Sequence, residues 1–210
     1  MKKNLTTCFF ILIAILVSNE LRAQTNITTS GIFIVNGESF TSSFRTSVTI
    51  PTNSYQSILI FNNRGVNVTE ASTRSPTCNG IMSGLEQSKY KFAKNRGNSM
   101  QMFAILKTVF TPQRCAQLAS ATFSVDVSIF PSNNALNSTR YHFDSRISIT
   151  QEEIAQLDNL IRTTTNFTFP KSTGICNNIS MIGLGGIDFK FNELHTDPYY
   201  NGIGASFDRD

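Results

Sequence analysis

The sequence predicts an α+β fold that is mostly β, with antiparallel sheets and one or two short helices. Polar and apolar residues alternate in several segments, as they do in half-buried strands. Only one segment combines a helix-start motif with apolar residues at helical spacing. Charged residues make up 15% of the 210 residues, while Ser, Thr and Asn are abundant. This balance is more usual in exported β-rich proteins than in cytosolic helical enzymes.

Residues 1–23 have the pattern of a cleavable signal peptide. Lys2 and Lys3 precede an apolar run over residues 8–17, and the segment ends in the small residue Ala23. The run spans about 15 Å as a helix, roughly half of a bilayer's hydrocarbon core, which disfavours a permanent anchor. We therefore expect a secreted or periplasmic protein that begins near Gln24 and has no membrane span after processing.

The charge of the whole chain does not indicate nucleic-acid binding. Lys2, Lys3 and Arg22, offset by Glu20, contribute two units of the formal net charge of +4. The mature chain is therefore close to neutral, and its charge does not predict a nucleic-acid partner.

A β-hairpin is predicted at the start of the mature chain. Residues 31–35 are mostly apolar, and Asn36-Gly37 separates them from a stretch with apolar residues at even positions up to Ile50. Asn and Gly both tolerate the positive φ that a type I′ turn requires.

Further strands and one helix follow in the second half of the chain. Thr150 and Glu153 form a capping box, which predicts a helix over residues 151–162. Thr111-Pro112 begins a shorter helical turn. Because the glycines at 183–186 lead into a strand and not a helix, they indicate a turn and not a phosphate loop. The predicted strands are 123–129, 141–149, 166–169, 179–182 and 187–191.

An internal match suggests a tandem duplication of a unit of about 95 residues. At an offset of 99 positions Phe44 falls on Phe143 and Asn67 on Asn166, without a gap between. The units would be residues 25–115 and 116–210, closely packed as two domains or as one pseudo-symmetric domain. Residues 53–62 would then be helical. The alternative is that two β-rich segments share only their alternation.

Three cysteines remain after processing, which allows at most one intramolecular disulfide and leaves a free thiol. Cys78 and Cys176 are equivalent in the repeat, so a bridge between them would join the two units. A Cys78–Cys115 bridge is the alternative.

Two segments are candidate binding sites. Lys89 and Lys91 alternate with aromatic residues; they could form a basic surface for an anionic ligand, or the wet face of an edge strand. Tyr199 and Tyr200 lie in a turn-rich segment, where they could anchor a partner or fold back as caps.

Catalysis and metal binding have weaker support. His142 and Asp144 share one face of a predicted strand, and His195 and Asp197 share a loop with Glu193. The first pair could orient a general base or be the solvated side of the strand. The second group could ligate a metal, but its spacing matches no zinc or calcium signature, and we expect no metal and no cofactor.

The sequence therefore favours an exported, non-catalytic recognition or surface-associated protein whose partner is a protein or an anionic glycan. The alternative is a small secreted hydrolase that uses His142 with Asp144, or His195 with Asp197, and a nucleophile that the sequence does not identify.

Overall fold

A computed structural model describes residues 25–49, 53–64, 95–119, 121–130, 135–168 and 182–201. Its strands are β1 (Gly31–Val35), β2 (Glu38–Thr49), β3 (Asn53–Asn62), β4 (Thr122–Phe130), β5 (Ala135–Asp144) and β6 (Ile182–Lys190). Its helices are α1 (Arg96–Val109), α2 (Pro112–Leu118) and α3 (Gln151–Thr164), with a short 3₁₀ helix at Pro198–Asn201.

The six described strands form one sheet in the order β1-β2-β3-β5-β4-β6, and every neighbouring pair is antiparallel. This confirms the α+β class and the antiparallel sheet. The described residues form three α-helices, whereas the sequence predicted one or two; α1 is the helix that was not predicted. Its first turn, Arg96-Gly97-Asn98-Ser99, is poor in helix-forming residues.

Two local predictions are confirmed. Asn36 and Gly37 have φ angles of 52° and 82° and connect β1 to β2, with Val35 paired to Glu38. Helix α3 begins with the predicted capping box, in which Thr150 and Glu153 each bond the other's backbone N–H.

The expectation of a helix over residues 53–62 is wrong, because this segment is β3. It pairs with β2 on one side and β5 on the other, and it buries Ile58 and Ile60. β-branched residues suit such a central strand. The segment matched to it, residues 152–161, lies in α3, so the structure does not show the tandem duplication, which stays a prediction.

Other predicted strands also have different bounds. β5 ends at Asp144, and Ile147 and Ile149 lie beyond it, in the connection to α3. Residues 165–168 have no regular structure. The glycines at 183–186 lie within β6, where the register against β4 shifts between Asp126 and Ser128. Glycine accommodates such a bulge without ending the strand.

The core lies between one face of the sheet and the helices. On the sheet it includes Phe40, Ile58, Ile60, Phe123, Val125, Tyr141, Phe143, Ile187 and Phe189. On α1 and α3 it includes Met102, Phe103, Leu106, Ile154, Leu157 and Ile161. Each of the largest side chains contributes about 2–3 kcal/mol through burial. Strand alternation directs the intervening residues to the opposite face of the sheet, which we call the outer face.

A buried carboxylate attaches α3 to the sheet. Asp158 is 1% exposed, and it accepts hydrogen bonds from Asn62 of β3 and from Thr139 and Tyr141 of β5. Arg162, one turn further along α3, donates to the same carboxylate at 2.8 Å.

No helix among the described ranges is long and apolar enough to cross a membrane.

Candidate functional site

The strand register brings polar side chains into two rows on the outer face. In the first row His142 of β5 lies between Leu59 of β3 and Ser124 of β4, and Ser124 lies opposite Asp188 of β6. In the second row Arg140 of β5 lies between Phe61 of β3 and Asp126 of β4. Directly opposite Cβ atoms are about 4.5–5.5 Å apart, and the rows are about 7 Å apart.

These rows border two adjoining depressions of about 440 Å³ and about 480 Å³ that share Ser124, His142 and Asp188. The first also contacts Ser57, Ala121, Thr122, Phe143, Asp144 and Arg146. The second also contacts Arg45, Leu59, Asp126 and Arg140. We call the two together the outer-face groove. Its size is in the range of small-ligand sites.

The charges of the groove act on each other. The pKa of Asp126 is raised, mainly because burial disfavours its charged form; the charge of Arg140 opposes this shift, while that of Asp188 adds to it. Ser124 Oγ donates a hydrogen bond to Asp188 Oδ1. Burial therefore opposes the ionisation of Asp126, while the charge of Arg140 favours it.

The pKa of Asp144 is shifted in the opposite direction to that of Asp126. Arg146 Nε donates to its two carboxylate oxygens at 2.9 and 3.0 Å. These side-chain hydrogen bonds lower the pKa of Asp144, against a smaller effect of burial. Arg146 lies in the turn after β5 and not on the strand itself.

His142 and Asp144 share the outer face, as the sequence predicted, but their hydrogen bonds do not form a catalytic relay. The carboxylate of Asp144 is bonded to Arg146, and the hydroxyl of Ser124 is bonded to Asp188. A Ser-His-Asp relay would need His142 between the hydroxyl and the carboxylate. In the structure Asp144 is instead paired with Arg146, and Ser124 with Asp188.

The second predicted pair, His195 and Asp197, has structural contacts. His195 Nε2 lies 2.6 Å from the carbonyl oxygen of Phe110. Asp197 Oδ1 accepts the backbone N–H of Tyr199 at 2.8 Å, and Glu193 Oε1 accepts from Lys190 at 3.0 Å. Within the described part of the chain, no three His, Cys, Asp or Glu residues are grouped so as to hold a metal ion.

The predicted tyrosine anchors pack against α1. Tyr200 is 5% exposed, and its ring centroid lies 5.0 Å from that of Phe103. Tyr199 is half-buried at 5.6 Å from the same ring. Lys107 Nζ donates to the carbonyl oxygen of Tyr200 at 2.7 Å and to Asn201 Oδ1 at 2.6 Å. This is the arrangement expected if the tyrosines fold back as caps.

Cys115 is a buried thiol on α2, and it is free of disulfides in the part that the structure describes. Its Sγ donates to the carbonyl oxygen of Phe110 at 3.4 Å, and burial raises its pKa to about 11. A thiol held protonated in this way is a poor nucleophile. Cys78, Cys176, Lys89 and Lys91 lie outside the described residues.

Sequence reasoning missed the β4 and β6 members of the groove, Ser124, Asp126 and Asp188. The alternation in β4 placed Ser124 and Asp126 on a wet face, so that signal was visible. Their position beside His142 and Arg140 depends on which strands pair, and one sequence does not contain that information.

The fold is similar to that of a DUF5043 family protein from Bacteroides uniformis. The two chains are 10% identical, with a TM-score of 0.50 over 80% of this chain and 93% of that chain. At this identity the likeness concerns the fold alone. The sequence matches no family model and no curated protein.

Proposed function

We propose that this protein is an exported, non-catalytic recognition or surface-associated protein that binds its ligand in the outer-face groove. The observation that carries the proposal is the convergence of Arg45, Arg140, Asp126 and Asp188 from four strands on one depression. The strand register fixes the backbone positions of these residues, so no rearrangement of the chain is needed to bring their side chains to one ligand.

The hydrogen bonds of the groove favour binding over hydrolysis. The carboxylate of Asp144 is bonded to Arg146, and the hydroxyl of Ser124 is bonded to Asp188, so these two bonds do not support a relay through His142. The raised pKa of Cys115 disfavours a thiolate mechanism. Side chains that present several donors and acceptors without a relay are suited to hold a polar ligand.

Binding to an array of immobilised polysaccharides, proteins and peptides tests the proposal. We expect purified residues 24–210 to be retained by at least one probe, and Arg140→Gln to weaken that binding about tenfold, because a hydrogen bond to a charged group is lost. Arg64→Gln is the matched control, since Arg64 is paired with Glu38 away from the groove.

Equal binding by Arg140→Gln and the unaltered protein to every retained probe would contradict the proposal. Cleavage of a probe that disappears in Ser124→Ala would instead support the hydrolase alternative.

Export rests on the leader pattern of residues 1–23. Expressed with this leader in a bacterium, the protein should leave the cytoplasm and have Gln24 as its first residue, which intact-mass measurement detects. Recovery from the cytoplasm with the leader still attached would contradict export.

A further inference from the structure

The groove has balanced charges among its Arg and Asp residues. Two guanidinium groups, Arg45 and Arg140, face two carboxylates, Asp126 and Asp188. The adjoining Asp144 and Arg146 neutralise each other in an ion pair. A surface whose charges cancel in this way exerts only a weak long-range field on a charged ligand. It therefore favours a ligand that is polar but uncharged.

The donors and acceptors of the groove alternate at short range. Arg140 supplies N–H donors only, while Asp126, opposite it in the register, supplies acceptors when ionised. In the next row Asp188 again supplies acceptors, and Ser124 can do both. A hydroxyl group donates one hydrogen bond and accepts others, so neighbouring hydroxyls match such mixed pairs.

Apolar side chains on β3 and β1 belong to the same two rows. Leu59 and Phe61 on β3 are half-buried and lie opposite His142 and Arg140. Ile32 lies on the edge strand β1 and is 71% exposed. It is in the same row as Phe61, with Thr41 of β2 between them. The ring of Phe61 offers an electron-rich face to positively polarised C–H groups. The ligand should thus combine hydroxyls with an apolar C–H surface.

We infer that the outer-face groove binds a neutral saccharide, with a sugar ring against Phe61 and Leu59 and its hydroxyls bonded to Arg140, Asp126 and the Ser124–Asp188 pair. This inference rests on the proposed function, because it specifies the ligand class of the same groove. The sequence placed an anionic ligand at Lys89 and Lys91, which lie outside the described residues; the groove differs from that basic pair because it holds as many Asp carboxylates as guanidinium groups.

Titration calorimetry on residues 24–210 tests the inference with maltohexaose, cellohexaose and mannohexaose as neutral probes, and with heparin and polygalacturonate as acidic ones. We expect at least one neutral probe to bind, with a Kd that changes less than about twofold between 50 and 500 mM NaCl because no charge is neutralised. Phe61→Ala should weaken that binding about fivefold.

Two further variants provide a control and a second test of the groove. Ile34→Ala removes an exposed side chain on the same face, 69% exposed, at the far edge of the sheet, and it should bind like the unaltered protein. Asp126→Asn removes an acceptor without changing the shape of the side chain, and it should also weaken binding. This variant tests the inference even if Phe61→Ala does not fold.

Binding of heparin or polygalacturonate alone, lost in Arg140→Gln and in high salt, would overturn the neutral saccharide while leaving recognition by the groove intact. Binding of a neutral probe that Phe61→Ala and Asp126→Asn both leave unchanged would overturn the inference as well. Binding of no saccharide by a protein that still retains a peptide through Arg140 would overturn the ligand class and not the proposed function.

Discussion

At the scale of single residues, the buried and half-buried carboxylates have distinct tasks. Asp158 is enclosed by donors from two strands and from its own helix. Asp144 is neutralised by Arg146 in an ion pair. Asp126 lies in the groove with a pKa that burial raises, so its charge is disfavoured. A carboxyl whose surroundings disfavour its charged form is typical of a functional site.

The Asp158 network predicts a large loss of stability on truncation. Asp158→Ala leaves Arg162 and the donors of Asn62 and Tyr141 without their acceptor in the protein interior, so the free energy of unfolding should fall by about 3–5 kcal/mol. Urea denaturation measures this. Asn159→Ala, at the exposed neighbouring position of α3, should change the free energy of unfolding by less than about 0.5 kcal/mol. A loss below about 1 kcal/mol for Asp158→Ala would show that the network does not hold the helix on the sheet.

The pKa shifts of Asp126 and Asp144 predict opposite pH dependences of stability. Because the folded-state pKa of Asp126 is raised, its ionisation destabilises the fold as pH rises above the unfolded pKa of about 3.9. Asp126→Asn should therefore be at least as stable as the unaltered protein at pH 7. The folded-state pKa of Asp144 is lowered, so its contribution is present above about pH 3.9 and is lost as pH falls through the folded value.

The matched variant Asp144→Asn should accordingly be less stable than the unaltered protein at pH 7, with the difference shrinking at low pH. Thermal unfolding between pH 3 and 8 measures both variants. The same sign of change for both at pH 7 would contradict the assignment of their environments.

At the scale of elements, the segments that the sequence predicted well are those whose signals are local. The Asn36-Gly37 turn and the capping box of α3 depend on residues within four positions of each other, and both are confirmed. β3 depends on distant partners: its apolar residues fit a helix or a strand until β2 and β5 pair with it. Helix α1 was missed because tertiary packing of Met102 and Leu106 outweighs its weak first turn.

The capping box of α3 should contribute measurably to stability. Thr150 Oγ1 accepts the backbone N–H of Glu153 at 3.1 Å, so Thr150→Ala should lower the free energy of unfolding by about 1 kcal/mol. Thr163→Ala is the control, because its hydroxyl bonds a carbonyl near the exposed end of the same helix. Equal unfolding midpoints for the two variants would contradict a role for the cap.

At the scale of the whole molecule, the candidate site exists because β3 and β5 are neighbours. Their pairing joins strands from residues 25–64 to strands from residues 122–190 in one sheet, with one core beneath it. It also places Leu59 and Phe61 beside His142 and Arg140 on the outer face. The sequence showed the alternation of β2, β4 and β5, but under the tandem duplication residues 53–62, which form β3, were expected to be helical. Strand order was therefore the missing information for both the fold and the site.

A cross-strand disulfide tests this arrangement most directly. Leu59→Cys combined with His142→Cys places two thiols directly opposite each other across β3 and β5, within the range that a disulfide spans. Peptide mapping of the oxidised protein should find positions 59 and 142 linked. If Ser43→Cys with Leu59→Cys links β2 to β3 while the first pair is joined neither as a disulfide nor by a short bis-maleimide, which spans either kind of cross-strand pair, β3 and β5 are not neighbours and the groove does not exist.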